Sequence, residues 1–187
     1  MAATGPLGVV LAGGAGRRLG GTKPAARLRG RPLLAWVAEA LSSVCNEVVV
    51  VAKATTPLPA LGPGLEVWRE PDSPVHPLAG VAWALSRSGG RSVLACPVDM
   101  PFVSEASLCR LLAAPGQVAV ADGQPLLGRF GPAALGALQA AVADDWPARV
   151  AVGALAPAVV KVPEAELFNV NTPGDLAAAE ARYELGA

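Results

Sequence analysis

A glycine-rich segment that ends in a lysine is the first feature of the sequence that can do chemistry. Five of the nine residues from Gly13 to Gly21 are glycine, and Lys23 follows two residues later. Glycine is entropically costly in an ordered chain, and a simple turn needs only one or two. Backbone N–H groups of a glycine-dense loop can surround phosphate oxygens, and a cation at its end adds attraction for an anion. The segment therefore predicts a phosphate-binding loop.

Two well-known phosphate-binding patterns do not fit this segment. The Walker pattern requires Gly-Lys-Ser/Thr at the start of a helix, and the sequence contains none. The dinucleotide fingerprint G-x-G-x-x-G fails at its last position, which is Leu19. The second predicted strand ends at Lys53 without the acidic residue that binds a ribose. A dehydrogenase is therefore a weak candidate.

A carboxylate and two amides are the next residues that can act on a phosphate. Asp99 follows the apolar run Val93–Ala95, at the expected carboxyl edge of a strand, where a carboxylate can hold a hard divalent cation against phosphate oxygens. The alternative for Asp99 is a turn or cap residue held by Pro101. Asn169 and Asn171 alternate with apolar residues, so an extended segment would put both amides on one face. Turn formation before a helix is the alternative for the two amides.

Other kinds of site have little support. His76 is the only histidine, and no Ser or Cys partner in the sequence suggests nucleophilic catalysis with it. Cys45, Cys96 and Cys109 are widely spaced and contain no Cys-x-x-Cys pair. We therefore expect no zinc site and interpret the cysteines as small buried hydrophobic residues of a reducing compartment.

Composition limits the class of protein. Fifteen basic and fifteen acidic residues give a net charge of zero, which argues against a nucleic-acid partner. Apolar residues are 52% of the chain and charged residues 16%, which excludes a disordered protein and a coiled coil. A length of 187 residues suits one domain over 1–187. No apolar run reaches the roughly 18 residues of a membrane span. No charge precedes the first apolar run, so we expect no signal peptide and a cytoplasmic location.

The elements that must position these residues alternate along the chain. Apolar runs predict strands at 7–12, 47–52, 65–68, 92–96, 117–121, 125–130 and 158–162, and helical spacing predicts helices at 32–44, 78–88, 104–113, 132–142 and from 173 onward. Ser104 and Thr172 are expected helix caps. Apolar strands separated by helices predict an α/β fold, a Rossmann-like three-layer sandwich with a mostly parallel sheet. Because ligands bind at the carboxyl ends of such strands, the glycine-rich segment and Asp99 are expected to lie together.

Four segments of the chain resemble, in order and spacing, the signature of the nucleotidyltransferases that make sugar nucleotides and related conjugates. The resemblance is greatest to the molybdenum cofactor guanylyltransferase branch of the MobA-like family, and it spans roughly residues 7 to 180. The segments are Leu-Ala-Gly-Gly-x-x-x-Arg-Leu-Gly-Gly from Leu11 with Lys23 after it, Pro77–Gly80, Cys96–Phe102 and Phe168–Leu176. The resemblance implies the nucleotide-diphospho-sugar transferase fold.

The resemblance also implies an activity and a set of site residues. The activity is transfer of GMP from GTP to molybdopterin with release of pyrophosphate, assisted by Mg²⁺. Arg18 and Lys23 would face the phosphates as catalytic residues, and Asp99 would hold the metal. The nucleotide contacts implied are Leu11, Ala12, Gly13, Gly14, Lys23, Glu70, Pro77, Leu78, Gly80, Asn169 and Asn171. Molybdoenzymes or other proteins of cofactor biosynthesis are the protein partners that the resemblance suggests.

Some residues depart from the pattern of this branch, and most of them surround the base. Thr22 stands where the branch often has Asp, and Glu70 stands about where an Asp contacting guanine is expected. Val51 and Lys53 end the second strand, where relatives often have Asn. His76 replaces a glycine, so it either stacks or donates at the nucleotide or is a plain loop histidine. Nucleotidyl transfer is thus better supported than guanine selectivity.

The acceptor side departs from the pattern as well. Residues Asp144–Arg149 replace a Gly-x-Arg turn of the relatives, whereas Gln124–Pro125 resembles a family segment that lines the acceptor. Arg149 and Arg129 are candidate cations for an acceptor phosphate, although cations are common on any surface. Cytidylyl transfer to the same cofactor, or nucleotidyl transfer to another phosphorylated small molecule, is the alternative enzyme function. A non-catalytic nucleotide-binding accessory protein is a further alternative, against which the presence of both Lys23 and Asp99 argues.

Overall fold

The computed structural model describes residues 5–14 and 23–185. Its strands are β1 (Leu7–Leu11), β2 (Arg27–Leu28), β3 (Arg31–Pro32), β4 (Glu47–Lys53), β5 (Glu66–Glu70), β6 (Val93–Pro97), β7 (Val118–Ala121), β8 (Gln124–Phe130) and β9 (Ala158–Val160). Its α-helices are α1 (Leu33–Ser42), α2 (Ala79–Arg87), α3 (Glu105–Ala113), α4 (Leu135–Ala143), α5 (Ala148–Ala154) and α6 (Pro173–Leu185).

Seven of these strands form one sheet in the order β5-β4-β1-β6-β8-β7-β9. Strand β1 pairs in parallel with β4 and β6, β4 with β5, and β7 with β9. Strand β8 pairs antiparallel with both β6 and β7. Within this sheet, as far as the structure describes it, β8 alone is reversed. The predicted mostly parallel sheet is confirmed.

Alternating side chains of the central strand enter two separate cores, which gives the fold its three layers. Leu7 and Val9 of β1 pack in one cluster with side chains of α2 and α4, whereas Val10 packs in the other with side chains of α1 and α3. Both faces of the sheet are therefore covered, as expected for strands with uninterrupted apolar runs. The predicted Rossmann-like α/β sandwich is confirmed.

The register of the parallel strands brings their carboxyl ends to one edge. Leu11, the last residue of β1, lies opposite Val51 of β4 and Pro97 of β6. At the next pair, Lys53 at the end of β4 lies opposite Glu70 at the end of β5. The chain leaves β1 and β6 toward the glycine-rich segment and toward Asp99, so both begin at this edge.

The hairpin β2–β3 and helix α5 were not predicted from the sequence. The hairpin β2–β3 has strands of two residues each, too short for an alternating pattern, and it is joined by Arg29 and Gly30, both with positive φ. Helix α5 begins directly after Pro147 and buries Ala151 and Val152. The predicted helix at 132–142 was right in place, but its first turn is a 3₁₀ helix and α4 follows it.

Both predicted caps are present. The Ser104 hydroxyl accepts a hydrogen bond from the backbone N–H of Ser107 at 3.2 Å, at the start of α3. The Thr172 hydroxyl accepts one from the backbone N–H of Asp175 at 3.1 Å, at the start of α6. In the part of the chain that is described, no helix combines the length and apolar character needed to cross a membrane.

Candidate active site

A cavity of about 270 Å³ lies at the carboxyl edge of the sheet, between the ends of β1, β4, β5 and β6. Eight of the residues predicted to bind or act on a nucleotide line it: Leu11, Gly13, Gly14, Lys23, Glu70, Pro77, Gly80 and Asp99. They come from separate segments of the chain, and the sheet topology brings them together. The cavity is therefore the candidate site.

Lys23 donates to two oxygen acceptors on one side of this cavity. Its ammonium nitrogen lies 2.6 Å from Asp99 Oδ2 and 2.7 Å from Asn171 Oδ1. The side chains of Lys23 and Asp99 are only 14% and 15% exposed, so solvent screens the pair less than a surface pair. A carboxylate oxygen and an amide oxygen thus converge on one cation at the end of β6.

Backbone hydrogen bonds place Asp99 and Asn171 side by side. Asp99 lies two residues beyond β6, in a turn where the N–H of Val98 donates to the carbonyl of Leu11 at 3.1 Å. The N–H of Val170 donates to the carbonyl of Asp99 at 2.8 Å, and the N–H of Asn171 donates to the Asp175 carboxylate at 2.9 Å. The segment before α6 is thereby fixed against the end of β6.

Asn169 is oriented differently from Asn171. Its side-chain amide donates to the carbonyl of Leu167 at 2.9 Å, whereas the amide oxygen of Asn171 accepts from Lys23, and neither asparagine is among the described residues that line the cavity. The expectation that both amides share one face toward the site is wrong for this structure. The chain turns into the capped start of α6 at this point, so the alternation of an extended strand does not apply.

A second pair of charges lies at the same cavity and includes Lys53, which is not among the predicted site residues. Lys53 Nζ lies 3.4 Å from Glu70 Oε2, and both residues are buried. Burial raises the pKa of Glu70, and the charge and hydrogen bond of Lys53 act in the opposite direction. One signal pointed to Lys53: it is one of three lysines in the chain and directly follows the apolar run 48–52 of its strand.

Glu70 also explains why the first glycine of the loop has no side chain. A Cβ atom added to Gly13 would lie 2.6 Å from Glu70 Oε1, closer than real Cβ contacts allow. A Cβ atom added to Gly14 would meet no atom of the described residues within 4 Å. Gly13 therefore allows the loop backbone to approach the carboxylate.

His76 lines the cavity with both ring nitrogens engaged. Its Nδ1 accepts a hydrogen bond from the backbone N–H of Leu78 at 3.1 Å, so in the neutral ring the proton is on Nε2. Nε2 lies 2.7 Å from the carbonyl of Trp146 and donates to it. His76 thus connects the start of α2 to the turn before α5. These contacts agree with the interpretation of His76 as a loop histidine and not with a residue that stacks on or donates to the nucleotide.

The remaining predicted site residues are Ala12, Leu78 and Arg18. Ala12 and Leu78 are buried, and neither is among the described residues that line the cavity. Ala12 donates its N–H to the carbonyl of Val51 at 2.8 Å, which fixes the start of the loop to β4. Arg18 lies outside the described residues, as does Thr22, so their predicted roles stay predictions.

The predicted acceptor residues line a neighbouring cleft. Gln124, Pro125 and Arg149 border a space of about 260 Å³, while the next residue, Leu126, lines the first cavity. Arg129 points away, because its guanidinium donates to the carbonyls of Ala114 at 2.8 Å and Gly116 at 2.9 Å. The suggestion that Arg129 meets an acceptor phosphate is therefore wrong.

The donor set beside Lys23 suits a hard divalent cation. Asp99 Oδ2 and Asn171 Oδ1 already lie around one cationic position, which the ammonium occupies. Within residues 5–14 and 23–185, no group of three or more His, Cys, Asp or Glu side chains is placed to hold a metal. One carboxylate and one amide oxygen are compatible with a hard divalent ion that is otherwise held by substrate phosphates and waters.

Solved structures with the same architecture identify the class of protein. The molybdopterin-guanine dinucleotide biosynthesis protein A from Archaeoglobus fulgidus matches with a TM-score of 0.77 at 27% identity, over 96% of this chain and 99% of that one. A protein from Mycobacterium tuberculosis H37Rv, in complex with manganese, matches with a TM-score of 0.71 at 20% identity, over 96% and 99%, and supports the fold alone. The expected nucleotide-diphospho-sugar transferase fold is confirmed, and the chain is a nucleotidyltransferase.

Sequence comparison then gives the family. The MobA-like NTP transferase domain matches residues 8–168. A molybdenum cofactor guanylyltransferase from Cereibacter sphaeroides is 40% identical over 190 residues, which cover 94% of this chain and 95% of that protein. The chain belongs to the MobA-like NTP transferase family, and the predicted resemblance is confirmed.

Proposed function

We propose that this protein transfers GMP from GTP to molybdopterin and releases pyrophosphate, with its single domain over residues 1–187. The observation that carries the proposal is the convergence of Asp99 and Asn171 on Lys23, beside the cavity that Gly13 and Gly14 line. The relative that is 40% identical over nearly the whole chain is a guanylyltransferase, and this supports the choice of substrates. We place the reaction in the cytoplasm, whose reducing conditions suit the free cysteines 45, 96 and 109 among the described residues.

The reaction needs electrostatic stabilisation more than a base. An oxygen of the acceptor phosphate bonds to the α-phosphorus of GTP, and the bond from that phosphorus to the bridging oxygen breaks. Pyrophosphate leaves with the electron pair. Because the attacking oxygen is already anionic, no proton must be removed, and the protein's task is to bring two anions together. Lys23 supplies positive charge at the phosphates, and the backbone of Gly13 and Gly14 approaches them.

Asp99 and Asn171 are the residues that would hold Mg²⁺ in this site. The ion, when bound, would neutralise phosphate charge. Lys23 would then give up its contacts with both oxygens and would be free to turn toward the phosphates. The same short contacts that fix Lys23 in the free protein would thereby keep it beside the place where it is needed.

We propose that the Glu70 carboxylate recognises the base by accepting hydrogen bonds from guanine. Guanine presents two adjacent donors, N1–H and the 2-amino group, and an ionised carboxylate is an acceptor only. Glu70 Oε1 lies on the Gly13 side, where the loop leads into the cavity, while Oε2 lies on the Lys53 side. This arrangement favours guanine over cytosine, whose exocyclic amine is its single Watson–Crick donor.

The test is a pyrophosphate assay with the purified full chain. Protein, Mg²⁺ and molybdopterin are mixed in turn with GTP, ATP, CTP and UTP, and pyrophosphate release is followed. We expect release with GTP that depends on both the metal and the acceptor. Release with CTP alone would replace the guanine assignment by the cytidylyl one. Tight nucleotide binding without release for any acceptor would favour the accessory protein.

A further inference from the structure

Lys53 is a buried cation that contacts three groups around the base side of the cavity. Its ammonium donates to the carbonyl of Pro71 at 3.1 Å and to the carbonyl of Pro74 at 2.8 Å. It also lies 3.4 Å from Glu70 Oε2. The residue is only 8% exposed and lines the cavity itself. A lysine loses hydration when it is buried to this extent, so its partners must compensate.

The two carboxylate oxygens of Glu70 have different neighbours. Oε2 faces the ammonium, whereas Oε1 lies 2.6 Å from where a Cβ of Gly13 would stand and 3.7 Å from where a Cβ of Gly80 would stand. Gly13 and Gly80 both line the cavity. The lysine therefore takes one oxygen and leaves the other on the side of the nucleotide loop.

The same ammonium fixes the segment that leads from β5 to the mouth of the cavity. Pro71 and Pro74 belong to this segment, and Val75 and His76, which follow it, line the cavity. Arg69 binds the end of β4 and the chain that follows it, since its guanidinium donates to the carbonyls of Lys53 and Thr56 at 2.8 Å and 2.7 Å. Lys53 thus contacts both the Glu70 carboxylate and the segment between β5 and the mouth of the cavity.

We propose that Lys53 is a positioning residue for base recognition, which orients the Glu70 carboxylate so that one oxygen accepts hydrogen bonds from the Watson–Crick edge of guanine. The inference rests on the proposed function, because it takes the nucleotide to be GTP. Lys53 acts on the base through Glu70, and its hydrogen bonds to the carbonyls of Pro71 and Pro74 hold the ammonium in place.

The charge of Lys53 matters as well as its position. Burial raises the pKa of Glu70, and Lys53 lowers it again through its charge and its hydrogen bond. Without the ammonium, the carboxyl would hold its proton to higher pH and could not accept from guanine. The other charged or titratable side chains described around the same cavity are His76 before α2, Lys23 after the glycine loop and Asp99 after β6. Next to Glu70 in the chain, Arg69 contacts backbone carbonyls and Asp72 binds Thr55.

The experiment measures GTP binding by calorimetry, without acceptor, for wild type and for Lys53→Met, Lys53→Arg, Glu70→Gln and the double variant Lys53→Met/Glu70→Gln. Lys161→Met, at an exposed lysine, is the matched control. For Lys53→Met we expect affinity roughly tenfold below wild type at about pH 6 and partial recovery as the pH rises toward about 8, where guanine N1 still carries its proton. Lys53→Arg keeps the charge and should retain most of the affinity, and Glu70→Gln should be weak at every pH.

The double variant keeps the inference falsifiable even if a lone buried carboxyl weakens the fold. It removes both charges together, which proteins tolerate better than the loss of one partner. Because Lys53 acts through Glu70, adding Lys53→Met to Glu70→Gln should change the affinity less than about threefold. Equal losses in both backgrounds, or a Lys53→Met variant that binds GTP as wild type does at every pH, would overturn the inference. If wild type binds GTP but releases no pyrophosphate, the proposed transfer fails while this binding test still decides the role of Lys53.

Discussion

Lys23 and Asp99 are 76 residues apart in the chain, yet the ammonium of one lies 2.6 Å from the carboxylate of the other. Strand β6 ends beside β1, and this places the aspartate across from the lysine that follows the glycine loop. Asn171 completes the contact from the start of α6, at 2.7 Å from the same nitrogen. Three segments that are distant in the sequence therefore meet at the Lys23 ammonium, and each contributes one polar side chain to this contact.

Replacing either charged partner should nearly abolish the transfer reaction. We expect Lys23→Ala and Asp99→Ala each to lower turnover roughly 10²-fold or more, which corresponds to about 3 kcal/mol of lost electrostatic stabilisation. Pyrophosphate release at saturating GTP measures it, and Lys161→Ala is a control at an exposed lysine. Near-normal turnover in a folded Lys23 or Asp99 variant would contradict the assignment.

The free protein should bind divalent metal more tightly when Lys23 is removed. The ammonium occupies the position between Asp99 Oδ2 and Asn171 Oδ1, so it competes with a metal for both oxygens. Calorimetric titration with Mn²⁺, in the absence of nucleotide, should give an affinity several-fold higher for Lys23→Met than for wild type, although turnover is lower. Lys161→Met should titrate as wild type does. An unchanged or weaker affinity in Lys23→Met would mean that these oxygens do not hold the ion.

The strands, the glycine-rich segment with Lys23, and Asp99 were predictable because their signals in the sequence are local. Strands β1, β4 and β6 are largely apolar runs, and such runs are typical of strands buried on both faces. Ligands of a parallel sheet bind at the carboxyl ends of its strands, so the order of the elements is enough to place the glycine loop and Asp99 together.

The remaining features depend on pairings that the sequence does not encode locally. Lys53 and Glu70 meet because of the register between β4 and β5, and neither residue alone indicates the other. The orientation of Asn169 depends on where the chain turns into α6. The alternation of polar and apolar residues therefore gave a wrong prediction that both amides lie on one face. Arg129 looks like any surface cation in the sequence, because its partners are backbone carbonyls after α3 that only the packing of β8 brings within reach.

Gly13 and Gly14 should differ in their tolerance of a methyl group. In Gly13→Ala the new Cβ would have to displace the buried Glu70 carboxylate, whereas in Gly14→Ala it would meet no atom of the described residues within 4 Å. We expect Gly13→Ala to lower the free energy of unfolding by about 1–3 kcal/mol, as overpacking does, and Gly14→Ala to change it much less. Urea unfolding of the two nucleotide-free variants checks this. Equal stability of the two would mean that Glu70 does not lie against the loop.

The cap of α6 should contribute to stability in a pH-dependent way. The Asp175 carboxylate accepts from the N–H groups of Asn171 and Thr172, both at 2.9 Å, and these bonds lower the pKa of Asp175 from its ordinary 3.8. A carboxyl whose pKa is lower in the folded state stabilises the fold above its unfolded pKa, and this contribution disappears as the pH falls through the folded value. Asp175→Asn should therefore be less stable than wild type at neutral pH, and the difference should shrink on acidification below pH 3.8.

Urea unfolding of both proteins across this pH range measures the difference, and Asp144→Asn, at an exposed aspartate, is the control. Because the same carboxylate holds the backbone of Asn171, Asp175→Asn should also weaken the contact of Asn171 with Lys23 and lower turnover, though less than the loss of Asp99 does. A stability difference that stays constant in acid would show that the capping bonds do not depend on the ionised carboxylate. Normal turnover in Asp175→Asn would show that the cap does not position Asn171.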